Sequence, residues 1–151
     1  MKTIDNYITE KLVITKDTKE KLYHYHPTEK YELKELIIKL INKRGSNADL
    51  NDIDTSKITD MSTLFYKSSF NGDISKWDVS SVKDMSHMFD ESSFTGENGD
   101  ISKWNVSSVI NMDYMFTNSQ FKGNISNWNV RNVKSKNDIF YKCPLQNNPP
   151  I

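Results

Sequence analysis

The sequence has little of what small exported domains and membrane proteins depend on. Cysteine occurs once, at Cys143, so no disulfide can form within the chain and a reducing compartment is expected. No apolar run approaches the ~18 residues that a transmembrane helix needs, and the residues after Met1 lack the apolar stretch of a signal peptide. We therefore expect a cytoplasmic protein, or a cell-surface protein whose export segment has been removed.

Charge of one sign is not in excess either, because 20 lysine and arginine residues balance 20 aspartate and glutamate residues. A protein whose main partner is nucleic acid or an anionic membrane usually carries a basic surface. We therefore expect neither nucleic-acid binding nor membrane insertion. Charged residues make up 26% of the chain, which leaves enough apolar residues for a thin core.

What the sequence has instead is one pattern of apolar residues, written four times between residues 50 and 145. The clearest copy covers 74–89, and the copy at 101–116 has an apolar residue at every matching position. The matching positions in these two copies are Ile74 and Ile101, Trp77 and Trp104, Val79 and Val106, Val82 and Val109, Met85 and Met112, Met88 and Met115, and Phe89 and Phe116. Repetition at such a period is typical of a solenoid.

The spacing of the copies locates an insertion. Leu50 and Ile74 are 24 residues apart, Ile74 and Ile101 are 27 apart, and Ile101 and Ile125 are again 24 apart. Three residues have therefore been added between 94 and 100. Since only a surface turn accepts added residues without disturbing the packing, this junction is predicted to be the outer loop of each coil.

Within a copy, the spacing of apolar residues changes from two to three or four. Trp77 and Val79 are two apart, as in an extended strand, whereas Val82, Met85 and Phe89 follow helical spacing. Each copy is therefore predicted to contain a short strand, a turn, a helix of about two turns and an outer loop. Stacked copies of this kind form an α/β solenoid that is leucine-rich-repeat-like, with short parallel strands on one side and short helices on the other.

The first 45 residues are predicted to be an N-terminal helical cap over the first coil. Apolar residues recur at helical spacing over 4–12. A second helix should begin after Thr28 as its N-cap and end at Gly45. Its apolar stripe consists of Leu33, Leu36, Ile37, Leu40 and Ile41. The expected division is a cap over 1–45, a four-coil solenoid over 46–145 and a tail over 146–151.

The repeats also resemble a known family. The stretch from Phe70 to Phe89, which begins Phe70-Asn71-Gly72-Asp73, and its copy at 100–116 closely resemble the repeats of the BspA-like leucine-rich-repeat surface proteins, a bacterial repeat domain of unknown function. Residues 1–49 lie outside the resemblance. The resemblance implies a leucine-rich-repeat-like solenoid with a binding or adhesion role and without catalysis.

Residues with catalytic or metal-binding potential are few. His24 and His26 could supply two metal ligands or belong to a plain loop. The turn Asn71-Gly72-Asp73 shares residue types with a calcium loop but lacks its 12-residue ligand spacing, which favours a tight turn. No nucleophile with an adjacent base can be assembled. We therefore expect no enzyme, no metal and no cofactor.

The expected function is a non-enzymatic protein–protein interaction module built on a short repeat solenoid, in an intracellular bacterial or phage-like protein. The alternative is a fragment or relative of a bacterial surface adhesin, and an enzyme is a distant third possibility. The sequence identifies neither the protein partner nor the oligomeric state.

Two sets of outward positions are predicted to contact a protein partner, because solenoids bind along the surface that their repeats create. The first set, on the predicted sheet face, is Lys76, Asp78, Lys103, Asn105, Asn127 and Asn129. The second is Ile110 with Tyr114, which replace polar residues of the other copies. Two simpler explanations stay open. Asparagine in place of aspartate in later copies relieves repulsion between stacked carboxylates, and the second pair could be covered by the 94–100 loop.

Overall fold

The computed structural model describes residues 22–151. Its one regular helix in this range, α1, spans Lys30–Arg44. The remainder is built from turns that are joined by isolated parallel bridges, and no strand forms between residues 22 and 151. The predicted α/β solenoid with short parallel strands and short helices is therefore wrong. The predicted helix over 4–12 lies outside the described residues.

The bridges confirm the repeat period. Apart from one that joins Tyr25 to Ile53, they join residues that are 24 or 27 positions apart, and the 27-residue step coincides with the insertion at 94–100. The bridged pairs are Asp49 with Asp73, Asp60 with Asp84, Asp84 with Asn111, and Asn111 with Ser135. The copies therefore lie in successive layers, with equivalent residues next to each other.

The predicted strand around Trp77 is replaced by a tight turn. The Trp77 amide donates to the Ile74 carbonyl at 3.1 Å, three residues back in the same layer. The Val82 amide likewise donates to the Val79 carbonyl at 3.0 Å. Because these amides are used inside the layer, they cannot pair with a neighbouring strand, and no continuous sheet forms.

The predicted helix from Val82 is a series of turns for a related reason. The Met88 amide donates to the Met85 carbonyl, which is a three-residue turn and not the four-residue step of an α-helix. The amides of Met85 and Phe89 point instead to the next layer, where they donate to the carbonyls of Asn111 and Met115 at 2.9 Å. A helix would direct every amide along its own axis, so it could not make these bonds between layers.

Positive backbone φ angles recur in this segment at two fixed positions of the layer. The first position is held by Thr63, His87, Tyr114 and Asp138, and the second by Lys67, Glu91, Asn118 and Lys142. Their φ values lie between 49° and 59°, a region that costs L-residues energy. Since the same conformation occurs in four layers, it belongs to the architecture and does not mark a single site.

Aromatic rings stacked along the layers form the core. Phe65, Phe89, Phe116 and Phe140 lie one above the other, with centroids 5.4, 5.5 and 5.9 Å apart and rings within 8° of parallel. A second column is formed by Phe70, Phe94 and Phe121, with centroids 6.2 and 6.0 Å apart. The prediction that the repeated apolar residues are core is confirmed, because all of them from Leu50 to Trp128 are buried.

Helix α1 covers the first layer. Leu33, Ile37 and Leu40 of the predicted stripe are buried in the same core as the repeats. The predicted end at Gly45 is confirmed, because its φ is 92° and its amide donates to the Ile41 carbonyl. The predicted N-cap is wrong. Glu29 holds that position without a side-chain hydrogen bond, and the Thr28 amide instead donates to Glu32 Oε2 at 2.7 Å.

Candidate functional site

The first set of predicted binding residues forms two exposed rows, one on each side of the buried tryptophans. The first row is Lys76, Lys103 and Asn127, and the second row is Asp78, Asn105 and Asn129. Between them lie Trp77, Trp104 and Trp128, each no more than 5% exposed. The structure therefore brings all six residues to one surface, which is formed by turns and not by a sheet.

The second row also stabilises turns. Asp78 Oδ1 accepts hydrogen bonds from the amide and the hydroxyl of Ser80 at 3.0 and 2.6 Å. Asn105 Oδ1 accepts the same two bonds from Ser107, and Asn129 Oδ1 accepts one from the Arg131 amide. Aspartate and asparagine both provide this acceptor. Asparagine in the later layers therefore keeps the turn and avoids a column of carboxylates.

The first row presents two cations, Lys76 and Lys103, that form no salt bridge with a carboxylate among residues 22–151, although their charges act on Asp73 and Asp100. Lys76 and Lys103 are exposed and line a shallow cavity of about 320 Å³ with Glu97 and Asp100. Hydrogen bonds from Ser102 hold the pKa of Asp100 below its ordinary value. The carboxylate is therefore ionised at neutral pH, and the two rows offer a surface of mixed charge.

Lys76 also lines a cavity of about 560 Å³ where α1 meets the first layer. A bidentate ion pair lies in its wall, with Arg44 Nη1 and Nη2 each 2.9 Å from an oxygen of Asp52. His24 Nδ1 is 3.0 Å from the same carboxylate. Hydrogen bonds from Arg44, and then from His24, lower the pKa of Asp52 to about 2.

The two histidines that were considered as metal ligands contact different carboxylates. His24 lies beside Asp52, whereas His26 Nδ1 is 3.6 Å from Asp54 Oδ2. Across residues 22–151, no three histidine, cysteine, aspartate or glutamate side chains are grouped so that they could hold a metal ion.

The turn compared with a calcium loop is closely packed against its neighbours. A Cβ added at Gly72 would lie 2.0 Å from the Ala48 carbonyl oxygen, and one at Gly99 would lie 2.9 Å from Asp73 Cα. Both glycines therefore allow two layers to approach. Asp73 Oδ1 accepts a hydrogen bond from the Ser75 amide, which occupies that oxygen in a turn.

The two residues of the second predicted patch, Ile110 and Tyr114, do not form one surface. Because this segment is not helical, Ile110 and Tyr114 are not neighbours one helical turn apart. Ile110 is 39% exposed and lines a groove of about 460 Å³. The Tyr114 ring stacks on His87 in the preceding layer, with centroids 4.8 Å apart.

The groove around Ile110 contains three cations that the sequence analysis did not select. Lys83, Arg131 and Lys134 line it together with Ser107, Ser108, Asn132 and Val133. An alignment of the copies would have indicated two of them, because Lys83, Ile110 and Lys134 hold the same position in three successive copies. Arg131 stands where the earlier copies have serine.

A buried carboxylate was also missed. Asp90 is 7% exposed, and its Oδ2 is 2.8 Å from His87 Nδ1. Its Oδ1 finds no donor among residues 22–151. The pair borders a cavity of about 260 Å³ with Thr63 and Tyr66. The only signal in the sequence is that an acid stands where the preceding copy has Tyr66 and the following one Thr117.

Residues 35–150 match the family described as "Mycoplasma protein of unknown function, DUF285". The chain belongs to this family. The match covers all the repeats and α1 from its sixth residue. The chain is therefore a member of a bacterial repeat family of unknown function. The leucine-rich-repeat assignment is not confirmed. No curated protein and no solved structure matches the chain significantly. The helix in the described range is too short and polar to cross a membrane.

Proposed function

We propose that this member of the family is a non-enzymatic protein-interaction module that acts in the bacterial cytoplasm. The observation that carries the proposal is the pair of exposed rows. Each row repeats one layer apart over three layers, on a backbone held by interlayer hydrogen bonds and stacked rings. A rigid surface of this kind binds without losing much conformational freedom, which favours recognition of a protein partner.

Lys76 and Lys103 are the expected contacts in this surface. Both are exposed and neither is neutralised by an ion pair in the described range. Charges of this kind guide a partner of opposite charge and select against one of the same charge. Asp78, Asn105, Asn127 and Asn129 add hydrogen-bonding groups around them.

The lone thiol supports a role without catalysis. Cys143 is buried, its Sγ donates to the Phe121 carbonyl at 3.2 Å, and burial raises the pKa of the thiol. A protonated, buried thiol is a poor nucleophile.

A role as a fragment or relative of a surface adhesin is the second candidate, and the resemblance of the repeats to BspA-like surface proteins supports it. The two roles differ in where the protein is found. Protease treatment of intact cells that express the native gene would remove an adhesin and leave a cytoplasmic protein intact.

The binding surface is tested by charge reversal. The double variant Lys76→Glu/Lys103→Glu and the wild-type chain are each used to capture proteins from a bacterium that encodes this family. A captured protein is then identified, purified and titrated. We expect its affinity to fall at least about tenfold in the variant, because several charge contacts are reversed.

The matched control is Lys39→Glu/Lys136→Glu, which changes the net charge equally at exposed lysines away from both rows. It should leave both affinity and melting temperature unchanged. If the same purified partner binds wild type and both double variants equally, the exposed rows are not the binding surface. Turnover of a substrate by the wild-type chain would overturn the non-enzymatic role.

A further inference from the structure

The groove around Ile110 differs from the exposed rows in charge. Lys83, Ile110 and Lys134 occupy one position in three successive layers. The Ile110 amide donates to the Lys83 carbonyl at 2.9 Å, and the Lys134 amide donates to the Ile110 carbonyl at 2.8 Å. The isoleucine therefore lies between two exposed lysines, one on each side along the stack.

Arg131 adds a third cation beside them. A hydrogen bond between layers holds the neighbouring backbone in place. Asn132 Nδ2 donates to the Ser107 carbonyl at 2.7 Å, which joins the two layers at the groove. No acidic side chain lines the groove. None of the three cations forms an ion pair with any residue from 22 to 151.

The like charges of Lys83 and Lys134, on the two sides of Ile110, repel each other, and the exposed isoleucine between them loses the benefit of burial. A ligand that carries carboxylates around an apolar side chain would offset both costs. We propose that this groove binds an acidic, extended segment of a protein partner, with an apolar side chain on Ile110 and carboxylates at Lys83 and Lys134.

The spacing specifies the segment further. Lys83 and Lys134 are two layers apart, or roughly 10 Å at the ~4.8 Å separation of parallel neighbours. In an extended peptide only every second side chain faces the same way, so two carboxylates four residues apart and an apolar residue midway between them all face the groove. At ~3.3 Å per residue the carboxylates are then ~13 Å apart, a span that the flexible side chains of two lysines can reach. The expected recognition element is therefore Glu or Asp, any residue, an apolar residue, any residue, and Glu or Asp.

A nucleic acid fits the groove less well. No aromatic side chain lines it, so bases have no ring on which to stack. The central Ile110 also offers nothing to a phosphate. The groove volume of about 460 Å³ lies in the range of cavities that hold a few side chains or a small ligand.

The test uses fluorescein-labelled eight-residue peptides and the full-length chain. A peptide with Glu-Ala-Leu-Ala-Glu at its centre is titrated by fluorescence anisotropy, and amide chemical shifts locate the site. We expect shifts at Lys83, Ile110 and Lys134, and affinity at least about tenfold weaker in Lys83→Glu/Lys134→Glu. Replacing Glu by Gln, or Leu by Ser, in the peptide should also weaken binding. The Lys39→Glu/Lys136→Glu chain is the matched control and should bind the peptide normally.

The proposal rests on the chain being a protein-interaction module, and the two can fail separately. If the peptide does not bind, or binds equally to Lys83→Glu/Lys134→Glu, the groove proposal is overturned, while sensitivity of a protein partner to Lys76→Glu/Lys103→Glu would keep the proposed function. Tighter binding of labelled octathymidylate than of the acidic peptide, with shifts at the same residues, would also overturn the groove proposal in favour of nucleic acid. Thermal melts of all the variants verify that each is folded.

Discussion

The indole nitrogen of Trp104 donates a hydrogen bond to the backbone carbonyl of Ile74 in the preceding layer, at 3.2 Å. Trp77 makes the same bond to Leu50, and Trp128 makes it to Ile101. Each tryptophan thus adds a second hydrogen bond to a carbonyl that already accepts an amide from the tight turn in its own layer. The residue joins two layers by a polar bond and by the burial of a large ring.

Truncation of Trp104 should therefore cost more stability than truncation of Trp128. Trp104 has Trp128 stacked on it, with centroids 6.3 Å apart, so its removal opens a cavity between two complete layers. We expect Trp104→Ala to lower the free energy of unfolding by about 3–5 kcal/mol, and Trp128→Ala by less. Urea unfolding followed by circular dichroism measures both.

The phenylalanine variants separate packing from the hydrogen bond. Trp104→Phe keeps an aromatic ring and removes the donor to Ile74, so it should cost about 1–3 kcal/mol. If Trp104→Ala and Trp128→Ala lower the free energy of unfolding equally, then the position of Trp104 between two complete layers adds nothing to its contribution, and the prediction is wrong.

The close approach at Gly72 leads to a second prediction. A Cβ there would lie 2.0 Å from the Ala48 carbonyl oxygen, the same oxygen that accepts the Asp73 amide at 3.0 Å. Gly72→Ala should force the first two layers apart and cost about 3 kcal/mol or more. Thermal denaturation is the measurement.

Gly45→Ala is the control for this prediction. A Cβ at Gly45 meets nothing within 4 Å, and only its backbone conformation, with φ 92° and ψ 170°, is unfavourable, so the expected loss is about 1–2 kcal/mol. If Gly45→Ala proves as destabilising as Gly72→Ala, the contact with Ala48 is not what requires glycine.

The left-handed turn positions give a third prediction, in the stabilising direction. Thr63 has a φ of 59°, and a β-branched residue is especially unfavourable there, whereas asparagine tolerates it. Thr63→Asn keeps the amide that donates to the Ser86 carbonyl. We expect it to raise the free energy of unfolding by about 0.5–1 kcal/mol, or the melting temperature by about 1–4 °C.

Thr59→Asn is the matched control, because Thr59 is exposed and its φ is not positive. It should leave the melting temperature nearly unchanged. His87→Asn should bring no gain, since it also removes the ring stacked on Tyr114 and the contact with Asp90. If Thr63→Asn instead lowers the melting temperature, the contacts of the threonine side chain stabilise the fold by more than its positive φ destabilises it.

The period, the register and the core could be predicted from the sequence, because burial repeats strictly along a stack. The secondary structure could not. Met85, Met88 and Phe89 have the spacing of a helix, but a series of three-residue turns buries the same positions. What decides between them is the direction of the amides, which depends on carbonyls in the neighbouring copy. Residues such as Lys67 and Glu91 adopt positive φ without the glycine that normally indicates it.

One signal for the turns was present and was missed. Aspartate or asparagine followed two residues later by serine recurs through the repeats, as in Asp73-Ile74-Ser75, Asp78-Val79-Ser80 and Asp84-Met85-Ser86. In the structure each acid accepts the amide of its serine, the local bond that competes with helix and strand. The exposed rows could be located from the period alone. The groove could not, because Arg131 enters it only through the turn that Asn129 stabilises.

The ion pair between α1 and the first layer gives the last prediction, a dependence on pH. The hydrogen bonds of Arg44 and His24 lower the pKa of Asp52 to about 2, from an ordinary value of 3.8. Because the folded-state pKa is the lower one, the stabilisation is complete above about pH 4 and is lost as the pH falls towards 2. The side chain of Asp52 is 21% exposed, so solvent screening reduces the effect to roughly 1 kcal/mol. Between pH 5 and pH 2, the free energy of unfolding should therefore fall further in the wild type than in Asp52→Asn, by about that amount.

Glu35→Gln is the control for this prediction. It changes an exposed carboxylate of α1, and its acid dependence should follow that of the wild type. An identical acid dependence in wild type and Asp52→Asn would show that the Arg44 pair does not hold α1 on the first layer.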